Sequence, residues 1–216
     1  NEEGRSYFMK RDLNHLASIV RALRIPGRTI AMICLFVFEL ANMVYPTLWA
    51  FWVREVIAWN SVTIGLTLSA YGILIAAVQA GLLPQMTKRL GDYRTLMFSS
   101  MAAVIALIGF GFSTAAWAVA IVIPIAALSD MAPPLLTAVA ANKVADDQQG
   151  LVQGVIASLA SVAAVVAPLV LTGVFERFVN NKGLYFPGAP FFIAAVLIIA
   201  IIPLILCLNP RRILRS

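Results

Sequence analysis

TIAMICLFVFELANMVYPTLWAF, residues Thr29 to Phe51, is apolar nearly throughout and carries one carboxylate, Glu39, close to its middle. At about 1.5 Å of rise per residue, such a stretch makes a helix about 34 Å long, enough to cross a hydrocarbon core with modest tilt. Glu39 would then sit near the midplane. Placing a charged side chain there costs roughly 2.5 to 3.5 kcal/mol even on lenient insertion scales, so intramembrane acids face a bundle interior or a wet cavity and usually carry function.

The whole chain agrees with this beginning. Of its 216 residues 61% are hydrophobic and only 12% charged, against roughly 25% charged in an ordinary soluble domain. The net charge of +6 would suit nucleic acid if it were gathered on one face, but the basic residues are scattered over several loops. A basic excess in a membrane protein has a second origin, the retention of Lys and Arg on the cytoplasmic side.

Outward from the first span, the apolar runs predict five more. They cover about Ser61 to Leu83, Thr95 to Phe112, Trp117 to Ala141, Gly150 to Phe175 and Phe191 to Leu208. The expected fold is all-α, with six transmembrane helices. Arg54 to Asn60 reads as a short loop with Trp52 and Trp59 as interfacial aromatics. Pro84 and the charged turn Lys88 to Arg94 read as the close of the second span, and Glu176 to Pro190 as a longer loop.

Six spans put both termini on one side. All of the 16 Lys and Arg except Arg54, Arg177 and Lys182 then fall on that side, which predicts cytoplasmic termini. Residues 1–28 read as a cytoplasmic linker. Leu13, Leu16, Val20 and Leu23 recur there at helical spacing, which predicts an amphipathic interfacial helix ended by Pro26-Gly27. Residues 29–209 form the six-helix bundle and 210–216 a basic cytoplasmic tail. The chain opens with Asn1 and nothing resembles a cleaved leader, so it reads as part of something longer.

A faint internal repeat relates the second and fifth spans. Gly65-Leu66, Ser69, Ala76-Ala77-Val78 and Pro84 follow one another much as Gly150-Leu151, Ser158, Ala163-Ala164-Val165 and Pro168 do. Two three-helix units of this kind are a common transporter architecture, with the substrate site near the midplane.

On the first span Glu39, Asn42, Pro46 and Trp49 fall on one helical stripe. With Tyr45 they read as a cavity wall for an amphipathic or cationic ligand, Pro46 loosening the backbone where a gate must bend. Packing is the alternative. The fourth span holds a second acid, Asp130, followed by Pro133-Pro134, which must bend the helix. A carboxyl in such a place can gain and lose a proton, the chemistry of proton coupling, or serve as an acceptor at the bend. Tyr71 on the second span reads equally as a donor into the same cavity or as core. Gly150, Gly154 and Ser158, four residues apart, predict close helix packing that can double as a sliding surface, and Cys34 and Cys207 read as small core residues.

Catalysis has little to work with. His15, the only histidine, lies in the basic leading segment, so no span offers a histidine base or a zinc ligand set. No Gly-rich phosphate loop is present. The sequence thus predicts neither an enzyme nor a bound metal or cofactor.

Trp59-Asn60-Ser61 with Ile64-Gly65, a span ending Val78-Gln79-Ala80, the loop Thr87 to Asp92, and Gln148-Gln149-Gly150-Leu151-Val152-Gln153-Gly154 with Ala167-Pro168-Leu169 together resemble the second half of a drug:proton antiporter of the major facilitator superfamily, closest to tetracycline efflux carriers. The resemblance covers roughly Thr29 to Phe175. It implies helices seven to twelve of a twelve-helix carrier in the bacterial inner membrane, partnered by an amino-terminal six-helix half, exchanging protons for a drug-like molecule by alternating access and conferring antibiotic resistance.

Glu39 and Asp130 are then the proton-coupling candidates. Glu39, Asn42, Tyr45, Trp49 and Tyr71 are the substrate-binding candidates, and Pro46, Pro133, Pro134, Gly150, Gly154, Asp92 and Arg94 the gating ones. Two departures stand out: the family's eighth-helix histidine falls near Ile75, and its ninth-helix aspartate falls in the Ala102 to Ile105 region, which has no acid. Glu39 and Asp130 are the acids this chain has in their stead. A proton-independent or solute-uptake facilitator and a non-transporting membrane scaffold are the rival classes.

Overall fold

The computed structural model describes residues 26–141, 146–180 and 184–208. The expected amphipathic helix before Pro26, His15, Lys143, Lys182 and the basic tail lie outside the described residues. The described residues form nine α-helices: α1 (Pro26–Asn42), α2 (Val44–Ile57), α3 (Ser61–Ala77), α4 (Leu83–Leu90), α5 (Asp92–Phe112), α6 (Ala116–Ser129), α7 (Ala132–Ala141), α8 (Asp146–Val179) and α9 (Ala189–Cys207), with a π-helical turn, Val78–Leu82, joining α3 to α4. They make six helices long and apolar enough to cross a membrane, as the sequence predicts, with no strand among them.

Nine helices make six spans because prolines interrupt three of them. Proline has no N–H and cannot close the bond to the carbonyl four residues back. Pro46 therefore strips Asn42, and the first span breaks for one residue at Met43 before the ladder resumes with Thr47 N–H donating to the Met43 carbonyl at 3.1 Å. Pro84 strips Ala80. The second span accommodates it with the π turn, in which Leu83 N–H donates to the Val78 carbonyl five residues back. Pro133 and Pro134 strip Ser129 and Asp130, and the fourth span breaks there, with Asp130 and Met131 N–H turning to Ala127 and Leu128 at 3.3 and 3.5 Å.

Several expected boundaries move. Arg54 to Ile57 are helical, and the corner after them is tighter than the predicted loop. Ala58 takes a left-handed φ of 58°, with its N–H donating to the Val53 carbonyl, and the Asn60 side chain caps α3 by accepting from Thr63 N–H at 2.9 Å. Pro84 does not end the second span; the helix runs through Lys88 and Arg89 to Leu90. There Gly91, at φ +81°, turns the chain. α8 continues through Glu176 and Arg177 to Val179, because a helical ladder does not stop where the apolar run does.

The core lies among the first, third, fourth and sixth spans. Trp49, Trp52, Phe110 and Phe191 cluster there, with Trp52 edge-on to Phe191 at 5.0 Å and Trp49 edge-on to Phe110 at 5.3 Å between ring centroids. Trp52 is thus a fully buried core residue, not an interfacial one, since its helix turn faces the bundle. Cys34 is buried but Cys207, expected in the core, is exposed at the end of α9. The hydroxyls of Ser99, Ser100 and Ser129, all buried, donate to carbonyls of their own helices, which satisfies them without water.

The second and fifth spans are the exception. Only 6% and 17% of their apolar windows are buried, against 39 to 56% for the other four. Around Gly150 and Gly154 there is open space, so the small-residue stripe packs against nothing in the described residues, and Ser158 donates to its own helix at Gly154.

Candidate functional site

A cavity of about 200 Å³ opens between the first, second, third and fourth spans. It is larger than the ~150 Å³ apolar cavity known to take benzene. Tyr45, Pro46 and Trp49 of α2 form one wall, Thr67, Leu68 and Tyr71 of α3 another, and Phe110, Ile123 and Ala126 complete it. The lining has no charged residue. Tyr45 sits at the centre of its aromatic surface, with ring centroids 6.2 Å from Tyr71 and 5.8 Å from Phe110. The Tyr45 hydroxyl and the Trp49 indole N–H are buried with no hydrogen-bond partner among the described residues.

Beside the cavity lies the break in the fourth span. The Tyr71 phenol donates to Asp130 Oδ2 at 2.6 Å, tying the second span to the fourth. A second bond joins the same two spans: Gln79 Nε2, in the π turn, donates to the Asp130 main-chain oxygen at 3.1 Å. Asp130 is therefore held at both its carboxylate and its backbone.

Glu39 lies on α1, one turn before the break at Met43. It is half-buried, and no hydrogen bond joins its carboxyl to another described residue. Neither Glu39 nor Asn42, also half-buried, lines the cavity. Of the remaining candidates, Pro133 is half-buried, and Pro134, Gly150, Gly154, Asp92 and Arg94 are exposed. Asp92 opens α5, where a carboxylate suits the helix dipole.

The structure thus gathers Tyr45, Pro46, Trp49, Tyr71 and Asp130, and leaves Asp92, Arg94, Gly150 and Gly154 off the cavity. Sequence reasoning passed over Gln79 and, in the cavity wall, Phe110, Thr67, Leu68, Ile123 and Ala126. Gln79 carries a usable signal, since an amide inside an apolar run needs a partner. Phe110 carries none, being one more aromatic on a membrane helix.

A family profile described as Major Facilitator Superfamily matches residues 11–213. The chain is 30% identical over 141 residues to a class G tetracycline resistance protein of Vibrio anguillarum, covering 65% of this chain and 36% of that protein. It is 27% identical over 172 residues to the class C protein of Escherichia coli, covering 80% and 42% respectively. Among solved structures, the human organic anion transporter MFSD10 (TETRAN) superposes with a TM-score of 0.67 at 18% identity, over 88% of this chain and 41% of that one. The chain spans less than half the length of each of these proteins. With a profile match over nearly its whole length and the fold of a solved carrier, the chain belongs to the major facilitator superfamily, a family of multi-pass membrane transporters.

Proposed function

We propose that this chain is the carboxy-terminal half of a proton-coupled exporter of drug-like, amphipathic small molecules. It works by alternating access in a bacterial inner membrane, with both termini cytoplasmic. One observation carries the reading: a carboxylate between membrane helices, Asp130, holds the phenol of Tyr71, and that phenol's ring is part of the cavity wall. A proton arriving on Asp130 removes the charge that holds Tyr71. The phenol can then turn toward a ligand, and loss of the proton reverses the step. Occupancy of the cavity and charge on the acid are in this way made to depend on each other.

The other residues fall into place around this exchange. Tyr45, Trp49 and Phe110 offer ring faces to the apolar body of a substrate. Glu39, on the first span, is the second acid on the proton's route and, as the family resemblance implies, a substrate contact once the cavity opens. A proton moving inward gains about 2.3 kcal/mol per 100 mV of membrane potential, sufficient to drive outward accumulation. An amino-terminal six-helix half would cover the exposed second and fifth spans.

The test is drug-dependent proton movement in inside-out vesicles from cells making the whole carrier, with ethidium and tetracycline as probes. The native carrier moves protons when a transported probe is added. Asp130→Asn abolishes this movement and Glu39→Gln strongly reduces it, with both variants still present in the membrane. Coupling that is unchanged in Asp130→Asn overturns the reading. Probe transport without proton movement in the native protein assigns it to the facilitator class instead.

A further inference from the structure

The two hydrogen bonds on Asp130 differ in kind. The Tyr71 bond engages an ionisable group. The Gln79 bond engages a main-chain carbonyl whose ordinary partner the sequence has deleted: in an unbroken helix the Asp130 oxygen would accept from residue 134, and residue 134 is proline. In a membrane a carbonyl left unpaired is costly wherever hydrocarbon rather than water lies beside it. Gln79 Nε2 reaches it from the neighbouring span at 3.1 Å. The residue that does so lies in the π turn Val78–Leu82, where the second span's own ladder is loosened upstream of Pro84. Two helix interruptions, each proline-made and each weak alone, meet at one hydrogen bond.

We infer that Gln79 is a positioning residue that stands in for the missing N–H of residue 134, so that the π turn of the second span and the break of the fourth move as one hinge. Through it Gln79 holds the Asp130 carboxylate where Tyr71 can reach it. A neighbouring helix that satisfies the broken one can follow its bending, whereas an intrahelical bond would straighten it. The two three-helix units, to which the second and fourth spans respectively belong, are thereby geared together at the level of the cavity. The consequence for turnover rests on the transport reading above; the hinge itself does not.

The experiment separates the two. Amide hydrogen exchange is followed in lipid nanodiscs, without substrate, over residues 77–84 and 128–137 of the whole carrier. Gln79→Ala and Gln79→Met, the latter close in length but without a donor, both raise exchange in both segments by about tenfold. In a Pro134→Ala background, where a backbone donor is restored, Gln79→Ala changes exchange less than twofold. An equal effect of Gln79→Ala in both backgrounds, or none in the native background, overturns the inference whatever the protein transports. Should Pro134→Ala not fold, native-like exchange in Gln79→Met decides against it and a tenfold rise in both segments decides for it. In vesicles that transport ethidium or tetracycline, the Gln79 variants lower kcat about fivefold and leave KM within twofold, the split expected of a group that times a motion without touching the ligand.

Discussion

Two tyrosines on opposite walls of one cavity have opposite energetics. The Tyr71 hydroxyl donates to Asp130, whereas the Tyr45 hydroxyl is buried without a partner among the described residues. A side-chain hydrogen bond between membrane helices contributes about 1 kcal/mol, and an unsatisfied buried donor costs about 1 kcal/mol or more. Tyr71→Phe should therefore lower the midpoint of thermal unfolding in detergent by about 2–4 °C, and Tyr45→Phe should leave it unchanged or raise it by a similar amount. Shifts of the same sign in both variants would contradict this account.

The sequence offered Tyr71 as a donor into the cavity or as core and Tyr45 as part of the cavity wall, but neither the acceptor of Tyr71 nor the unpaired state of the Tyr45 hydroxyl was legible in it. The acids stand out because a charge in an apolar run is conspicuous, but the partner of Asp130 lies 59 residues away and nothing in local spacing points to it. Glu39 attracts attention first by its central place in the first span. Asp130, with two hydrogen bonds from the second span, has the more elaborate surroundings.

At the scale of the helix, apolar run length gave the number of spans and failed at their ends. Lipid contact selects apolar residues, while the hydrogen-bond ladder obeys only the backbone, so α4 and α8 run on through charged residues. Prolines were legible as bends, but the mode of bending was not. A one-residue break, a π turn and a double-proline break all follow from N–H groups that proline lacks, one in each of the first two and two in the third, and neighbouring helices decide among them. Close approach is a further matter of element packing. Gly188, just before α9, lies so close to the main-chain oxygen of Gly111 at the end of α5 that a Cβ there would collide with backbone. Gly188→Ala should force the third and sixth spans apart, costing about 1–3 kcal/mol or more as overpacking does. The expected readout is reduced yield of folded protein and a lower unfolding midpoint, whereas Gly173→Ala, in open space, should have neither effect.

For the molecule as a whole, the uneven burial of its spans is the informative property. The second span, though it supplies a wall of the cavity and both bonds to Asp130, is the least buried of the six. Under the proposed assembly that surface meets the amino-terminal half. Cysteines introduced at Ser69 and Ser158, both exposed, and alkylated with a benzophenone maleimide should then photo-cross-link to that half in the intact carrier. Equal access of a lipid-soluble relaxation agent to spin labels at both positions would assign the surface to lipid instead.

The corner between the first two spans offers a practical opening. Ala58 holds a left-handed conformation that costs a residue with a Cβ about 1–2 kcal/mol and costs glycine nearly nothing. Ala58→Gly, at an exposed site away from the cavity lining, should recover up to about 1 kcal/mol after glycine's greater freedom in the unfolded chain is allowed for. Such a variant would give a hardier preparation with unaltered ligand preferences, a convenient starting point for purification and crystallisation trials.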